Sequence, residues 1–305
     1  MPSITLIESA KLANDELVSG VIANVITVNQ MFELLPFDDI EGNSLAYNRE
    51  LLLGDVQVAT VGDTITAKAA ATFTKVNSNL TTILGDAEVN GLIQATRSGD
   101  TDQEVVQISS KAKSAGRSYQ SQLITGDGTG NTFVGLLNLC DSTQKVATGV
   151  NGGVLSFAFL DELLDLVIDK DGQTDYMIFP ARTLRSYKAL IRALGGVMAD
   201  DIYEMPSGNR VIAYSGVPIF RNDYLPLNQV KGSGSAQTTI LAGTLDDGSR
   251  THGIAGLTAR MNAGIVVEDV GVHQSKDERI TRVKWYCGLA LFSLKGLALA
   301  DGITN

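Results

Sequence analysis

Cys287 and His273 are the first residues of this chain whose types could do chemistry, since a thiol beside an imidazole can make a nucleophile and its base. The chain has two cysteines, Cys140 and Cys287, and two histidines, His252 and His273. Cys287 and His273 could meet across a hairpin, but a working pair also needs an orienting third group and an oxyanion site. No motif announces either, so a buried cysteine and a loop histidine are expected. Neither histidine has a second ligand at the spacing of HxxxH or CxxC, so no metal site is expected. Asp38–Asp39, Asp200–Asp201 and Asp246–Asp247 are adjacent acids, which point in different directions on most backbones and are weak candidates for acid–base work. Asp246–Asp247–Gly248 is expected to be a turn, with a bound cation as its alternative use. Gly126–Asn131 (GDGTGN) suggests a phosphate loop. However, it follows a helical run instead of leading a strand into one, and no Lys-Ser or Lys-Thr follows, so a chain reversal is expected. Arg182, Arg185, Lys188 and Arg192 mark one side of a helical run; a solvated or salt-bridged face is expected, with DNA contact as the alternative. No nucleotide, haem or flavin motif is present, and no catalytic residue, cofactor or metal is expected.

Composition narrows the classes further. The 305 residues can bury a substantial core in one large domain or two. Charged residues make up 19%, below the usual quarter or so, which fits a surface partly covered by partners. The net charge of −10 disfavours direct nucleic-acid binding, whose affinity comes mainly from neutralising phosphates. Two cysteines far apart in sequence do not make a disulfide framework. The N-terminus lacks a positive segment followed by an apolar core, so no secretion signal is expected. No run approaches the ~18 uncharged apolar residues of a membrane span; Leu289–Ala300 contains Lys295 and suits a buried strand or helix. A protein made and used in a cytoplasm is the expectation.

The elements that would position these residues follow from periodicity. Residues 1–30 carry a helical pattern through Leu12, Leu17, Val21, Val25 and Val28, with Asn14 as a cap. Two strand-like runs, Leu45–Thr60 and Thr64–Lys75, meet at a turn on Gly62 and Asp63. A hairpin that long leaves unpaired edges and invites another chain. Leu80–Val89 reads as a strand. Thr101–Thr125 is the best helix: Val105, Ile108, Ala112, Ala115, Tyr119 and Leu123 share one face, with Ser98 or Asp100 as cap and Gly126 past the end. Residues 151–260 read as a separate mixed α/β unit. In it a helix capped by Ser156 carries Leu160, Leu163, Leu164, Val167 and Ile168. A buried strand, Tyr176–Phe179, precedes a second helix opened by Pro180 and stopped at Gly195–Gly196. Val211–Tyr214 and Val217–Phe220 are short strands, and Lys231–Gln237 (KGSGSAQ) is expected to be a mobile surface loop. Ile265–Val272 and Ile280–Tyr286 are expected to pair as a hairpin and, with Leu80–Val89, to form a sheet.

Three stretches carry a family resemblance. LPFDDIEGNSLAYNRE (Leu35–Glu50) with the long hairpin, LGDAEVNGLI (Leu84–Ile93) and WYCGLALFSLKGLALADGI (Trp285–Ile303) resemble the major capsid proteins of tailed phages, with their Hong Kong 97-type shell fold. The resemblance runs over almost the whole chain in the family's order. It implies an α+β fold: an N-terminal arm (1–43), an extended loop (44–78), a peripheral domain (79–150) with a spine helix at about 101–125, an inserted mixed α/β axial domain (151–260), and a C-terminal peripheral part (261–305). It implies a structural role and no enzyme activity. The expected partners are copies of the chain in hexamers and pentamers of an icosahedral shell, with separate scaffolding, portal and decoration proteins. The shell would enclose double-stranded DNA without sequence-specific binding, and its acidity would repel the duplex during filling. It would be assembled in a host cytoplasm and end as a virion capsid, with no membrane. One relative joins a lysine to an asparagine of a neighbour; Lys68, Lys75, Asn262 and Asn305 offer those types, but no motif places such a link here. Two alternatives remain open: an encapsulin-like compartment shell, and a soluble α/β hydrolytic enzyme using Cys287 with His273 or an acidic pocket.

Overall fold

The computed structural model describes residues 34–97, 102–168, 172–193, 202–206 and 208–304. The N-terminal helical pattern, the caps Ser98 and Asp100, the Gly195–Gly196 stop, Asp200–Asp201 and Asn305 lie outside the described residues. In chain order the first elements are β1 (Phe37–Ile40), β2 (Ser44–Leu52), β3 (Thr72–Asn79), β4 (Thr81–Asn90), α1 (Gly91–Arg97), α2 (Gln103–Thr125) and α3 (Leu136–Leu139). Then come β5 (Lys145–Ala147), α4 (Phe157–Ile168), β6 (Tyr176–Phe179), α5 (Ala181–Ala193), β7 (Ile202–Glu204), β8 (Arg210–Tyr214) and β9 (Val217–Arg221). The last are β10 (Gln229–Lys231), β11 (Gly234–Gly243), β12 (Ile254–Ala259), β13 (Ile265–Val272), β14 (Glu278–Leu291) and β15 (Leu297–Ile303).

The first sheet is ordered β1–β12–β14–β13, with β4 also on β14. β4 and β14 pair antiparallel without interruption from Asn90↔Glu278 to Thr81↔Cys287. Along β14 the side chains of Trp285, Cys287, Leu289 and Leu291 enter the main core, while Ala290 and, just past the strand, Phe292 face a small cluster with Ile40, Ala255 and Leu257. This alternation is the period of two that a strand buried on both faces requires. Helix α2 crosses β4 and β14 and buries Ala112, Ala115, Tyr119 and Leu123 as its periodicity predicts. Its cap is Asp102, whose carboxylate accepts from Glu104 N at 3.0 Å. Val105 is exposed, because the first turn, held where Glu104 accepts from Thr281, buries Gln103 instead.

The second sheet is ordered β5–β15–β11–β6–β9–β8–β7, with β10 on β11. Tyr176, Ile178, Leu241, Leu297 and Leu299 face the main core; Met177, Phe179, Ile240, Ala242, Ala298 and Ala300 face α4 and α5. α4 uses Leu160, Leu163, Leu164 and Val167, and Ser156 Oγ accepts from Phe159 N at 3.3 Å. Ile168, expected on that stripe, is 47% exposed at the helix's last turn. Lys231–Gln237 is not a loose loop. Gly232 takes φ 59°, closing β10 onto β11, while Asn151 Oδ1 accepts from Ser233 N and Gln237 Nε2 donates to Asn151 O.

Strand pairing also distributes segments differently from the expected boundaries. β12, within 151–260, lies in the first sheet, and β5 and β15, outside it, lie in the second. The cause is local: Phe292 N bonds to Gly253 O and a short turn at Leu294–Gly296 redirects the chain between sheets.

Candidate assembly surface

The long hairpin is the part of the described chain with the most exposed apolar side chains. β2 and β3 pair antiparallel from Ser44↔Asn79 to Leu52↔Thr72, with one irregularity between Glu50 and Leu52. The expected strands Leu45–Thr60 and Thr64–Lys75 are therefore shorter at the tip and longer at the base. Beyond Leu52 the Asp55 N–Ala69 O bond keeps the two limbs facing, but Gln57 then takes over the ladder. Its Oε1 accepts from Thr66 N at 2.6 Å and Ala67 N at 3.0 Å, and its Nε2 donates to Thr64 O at 3.2 Å. A side chain satisfying backbone groups in this way ends regular pairing. The turn itself is fixed by Gly62 at φ 96° and by Asp63, whose carboxylate accepts from Thr60 N and whose N–H donates to Thr60 O.

Leu52, Leu53, Val56, Val58, Val61, Ile65 and Phe73 are all exposed along this excursion, Val58 and Val61 fully. The base is pinned. Tyr47 OH donates to Leu291 O at 2.7 Å, Arg49 Nε donates to Phe292 O at 3.0 Å, and Arg49 Nη2 donates to Leu291 O. The Tyr47 ring meets Phe292 edge-on at 5.2 Å. The Arg49 guanidinium thus covers two carbonyls at the end of β14. Tyr47 and Arg49 stand in the stretch that carries the family resemblance, but nothing in their spacing marks them as pins. Arg49→Ala is expected to lower stability by about 1.5–3 kcal/mol, the range for hydrogen bonds from a charged group. It should also speed limited proteolysis between Glu50 and Thr72; unfolding curves and cleavage rates equal to wild type would show that the pin does nothing.

Beside the hairpin base, β1 runs parallel to β12 in the register Phe37↔Gly256 to Ile40↔Ala259. Arg250 Nε meets Asp38 Oδ2 at 2.9 Å, and Arg260 pairs with Glu41 and, at 3.7 Å, with Asp39. The Asp38–Asp39 doublet is thus engaged by two arginines. Gly256 is needed there, since a Cβ would lie 2.5 Å from the Phe37 ring.

The structure does not bring Cys287 and His273 together. Cys287 is buried opposite Thr81 and Thr258, whereas His273 lies past the Val272↔Arg279 end of the β13–β14 pair. At ~3.3 Å per residue the run from Arg279 to Cys287 spans roughly 26 Å. Burial pushes the Cys287 thiol up to about 12 and the Cys140 thiol up to about 11. Both therefore stay protonated at mildly alkaline pH, where an unfolded thiol begins to ionise. Native protein is expected to resist a disulfide reagent at that pH and to react with two equivalents once unfolded. Fast labelling of either thiol in the folded chain would contradict that burial.

The remaining candidates are structural or isolated. Asp246 accepts from Gly248 N and Arg250 N, and Asp247 from Ser249 N, so this segment is the expected turn. Asp127 of GDGTGN accepts from the hydroxyls of Thr129 and Thr132 and from Thr129 N; these bonds hold its carboxyl down at about 2. Among the described residues no group of three or more His, Cys, Asp or Glu could hold a metal ion. Spacing did not reveal one convergence: Asp175, Asp247, His252, Ser293 and Lys295 line a cavity of about 570 Å³. Asp175 accepts from Leu245 N at 2.8 Å and burial raises its carboxyl, but no hydrogen bond among the described residues links Ser293, His252 and either carboxylate. Lys75 lies in β3 and Lys68 in the distal limb, while Asn262 N donates to Ala259 O at the β12–β13 connection.

No family model and no curated protein matches the sequence. Solved structures do match. The encapsulin in the holo-SrpI complex of Synechococcus elongatus is similar at TM-score 0.70 and 19% identity, over 99% of this chain and 96% of that one. The capsid of the native GTA particle is similar at 0.61 and 12%, over 95% and 93%. The Mycobacterium phage Bobi structure is similar at 0.59 and 13%, over the full length of both chains. The chain therefore has the shell fold of the phage major capsid proteins, the Hong Kong 97-type fold, which the encapsulin shares.

Proposed function

We propose that this chain is a shell-forming structural protein, the major capsid protein of a tailed phage, which assembles into hexamers and pentamers of an icosahedral shell around double-stranded DNA. The observation that carries the reading is the hairpin: its base is fixed to β14, and its distal limbs expose valines, leucines and an isoleucine that nothing among the described residues covers. A monomeric protein rarely keeps such an arm, whereas a neighbouring copy would bury it. In this reading residues 1–43 form an arm, 44–78 the extended loop, and α2 the spine that holds the first sheet. Residues 151–260 supply most of the axial unit at the capsomer centre. The mechanism is geometric and has no reaction step. Separate scaffolding, portal and decoration proteins would join it in the host cytoplasm. A net charge of −10 suits a wall that repels packaged DNA.

The likeness to an encapsulin favours a second reading, a compartment shell whose cargo is protein. One experiment separates them. The full chain is purified from its native source, treated with nuclease, and examined by negative-stain electron microscopy and light scattering. Closed uniform particles holding protected nucleic acid support the capsid. Particles holding a co-purifying protein support the compartment. A monomer that never associates, alone or with candidate scaffold, would refute both.

A further inference from the structure

The two helices that cover one face of the second sheet expose opposite charges. At one end, α4 lies over β15 and β11, beside the β5 edge. A groove of about 600 Å³ opens there, lined by Thr143, Gln144, Glu162, Asp165, Leu166, Ile168 and one cation, Lys295. Glu162 and Asp165 are exposed and make no ion pair among the described residues. Gln144 is 5% exposed, and its Oε1 is buried without a hydrogen-bond partner at the groove wall. Ile168 is the side chain that α4's stripe left uncovered. The groove therefore offers two carboxylates beside an apolar patch.

Next to it α5 lies over β6, the middle strand of the sheet, and reaches β8, where Tyr187 OH donates to Ala213 O at 3.0 Å. Its exposed side carries Arg185 and Arg192, with Lys188 half-buried between them. None of the three makes an ion pair or hydrogen bond among the described residues, whereas Arg182 on the same helix is engaged by Ala236 O. Guanidinium groups on a rigid helix are the natural donors for carboxylate and amide oxygens.

We infer that the α4 groove of one copy receives the Arg185–Lys188–Arg192 flank of α5 from the next copy. The two patches are complementary to each other and not to themselves, so the contact is head-to-tail, and repetition of a head-to-tail contact about an axis closes a ring. The inference rests on the shell reading and assigns the residues that set the capsomer's lateral contact. It also accounts for the basic face of α5 without nucleic acid: its counter-charge is a second copy of this chain.

The test uses the full chain with two charge-reversed variants, R185E/R192E and E162R/D165R, and sedimentation to measure association at low and high salt. All four positions are exposed, so circular dichroism and melting should match wild type. Each variant alone should need about tenfold or more protein to form capsomers. The two mixed together should form even-membered rings as wild type does, because each acidic flank then meets a basic groove and each basic flank an acidic groove, while a five-membered ring cannot alternate. Association of either variant at the wild-type concentration would overturn the inference, and so would failure of the mixture. Both results leave the shell reading standing if wild type still assembles. A wild-type chain that never associates would overturn the shell reading and this contact with it.

Discussion

Removal of Val58–Ala70 is expected to abolish closed shells while leaving a folded, soluble protein. The deletion takes the turn at Thr60–Asp63 and most of the distal limbs, including Val58, Val61 and Ile65. It leaves the β2–β3 ladder from Ser44↔Asn79 to Leu52↔Thr72 and both pins, Tyr47 and Arg49. The residues remaining between Leu52 and Thr72 make a short loop, whose closure costs less than that of the long one it replaces. Since the deleted side chains belong to no core cluster among the described residues, the stability of the single chain should change by no more than about 0.5 kcal/mol. Assembly is a different matter. Each apolar side chain covered by a neighbour contributes about 1.5–3 kcal/mol, and three are lost at every repeated contact. A closed shell compounds that loss around every ring. Electron microscopy should show capsomer-sized species or less, with an unchanged melting curve. Normal particles from the deleted chain would refute the assembly-arm role of the hairpin.

The parts of this architecture that were legible in the sequence share one property: a local period that tertiary packing preserves. Ala112, Ala115, Tyr119 and Leu123 recur at helical spacing and bury one face of α2; Tyr176–Phe179 is a short apolar run and is buried on both sides. Val211–Tyr214 and Val217–Phe220 flank Ser215–Gly216, and both turn residues take positive φ, as the tight hairpin turn demands. What stayed hidden depends on residues distant in sequence. KGSGSAQ has the composition of a loose loop, yet Asn151 and Asp301 from elsewhere hold it as a hairpin. The distal hairpin has the composition of strands, but the Gln57 side chain competes for its amides. The groove beside α4 is assembled from Thr143–Gln144 and the exposed flank of a helix. A helical wheel shows Glu162 and Asp165 as solvated charges and says nothing of the amide oxygen buried next to them. Family likeness supplied the order of the elements; strand pairing showed that β12 and β15 each lie in the sheet opposite to the one the expected boundaries implied.

Trp285→Ala should be the most damaging single truncation in the described chain. Trp285 is 5% exposed, on β14 between Ile265 and Ile83 of the neighbouring strands. Its ring centroid lies 4.6 Å from that of Tyr119 on α2 and 6.1 Å from that of Phe37 on β1, and Tyr119 in turn meets Phe133 at 5.4 Å. One ring thus joins helix α2, the central strand and the first strand of the sheet. Truncation removes the transfer free energy of a large aromatic and leaves a cavity whose walls are two rigid elements and a ring already packed against Gly256. Such a site collapses poorly, so the cost should reach about 3–5 kcal/mol, the upper range for aromatic truncation. Denaturant unfolding followed by circular dichroism checks this, since Trp285 is the chain's single tryptophan and its fluorescence is lost with it. Trp285→Phe keeps most of the volume and should recover more than half of the loss. If the alanine variant unfolds within about 1 kcal/mol of wild type, the aromatic cluster is not what fixes α2 to the sheet. If both variants are equally unstable, the requirement is for the full indole and not for filled volume.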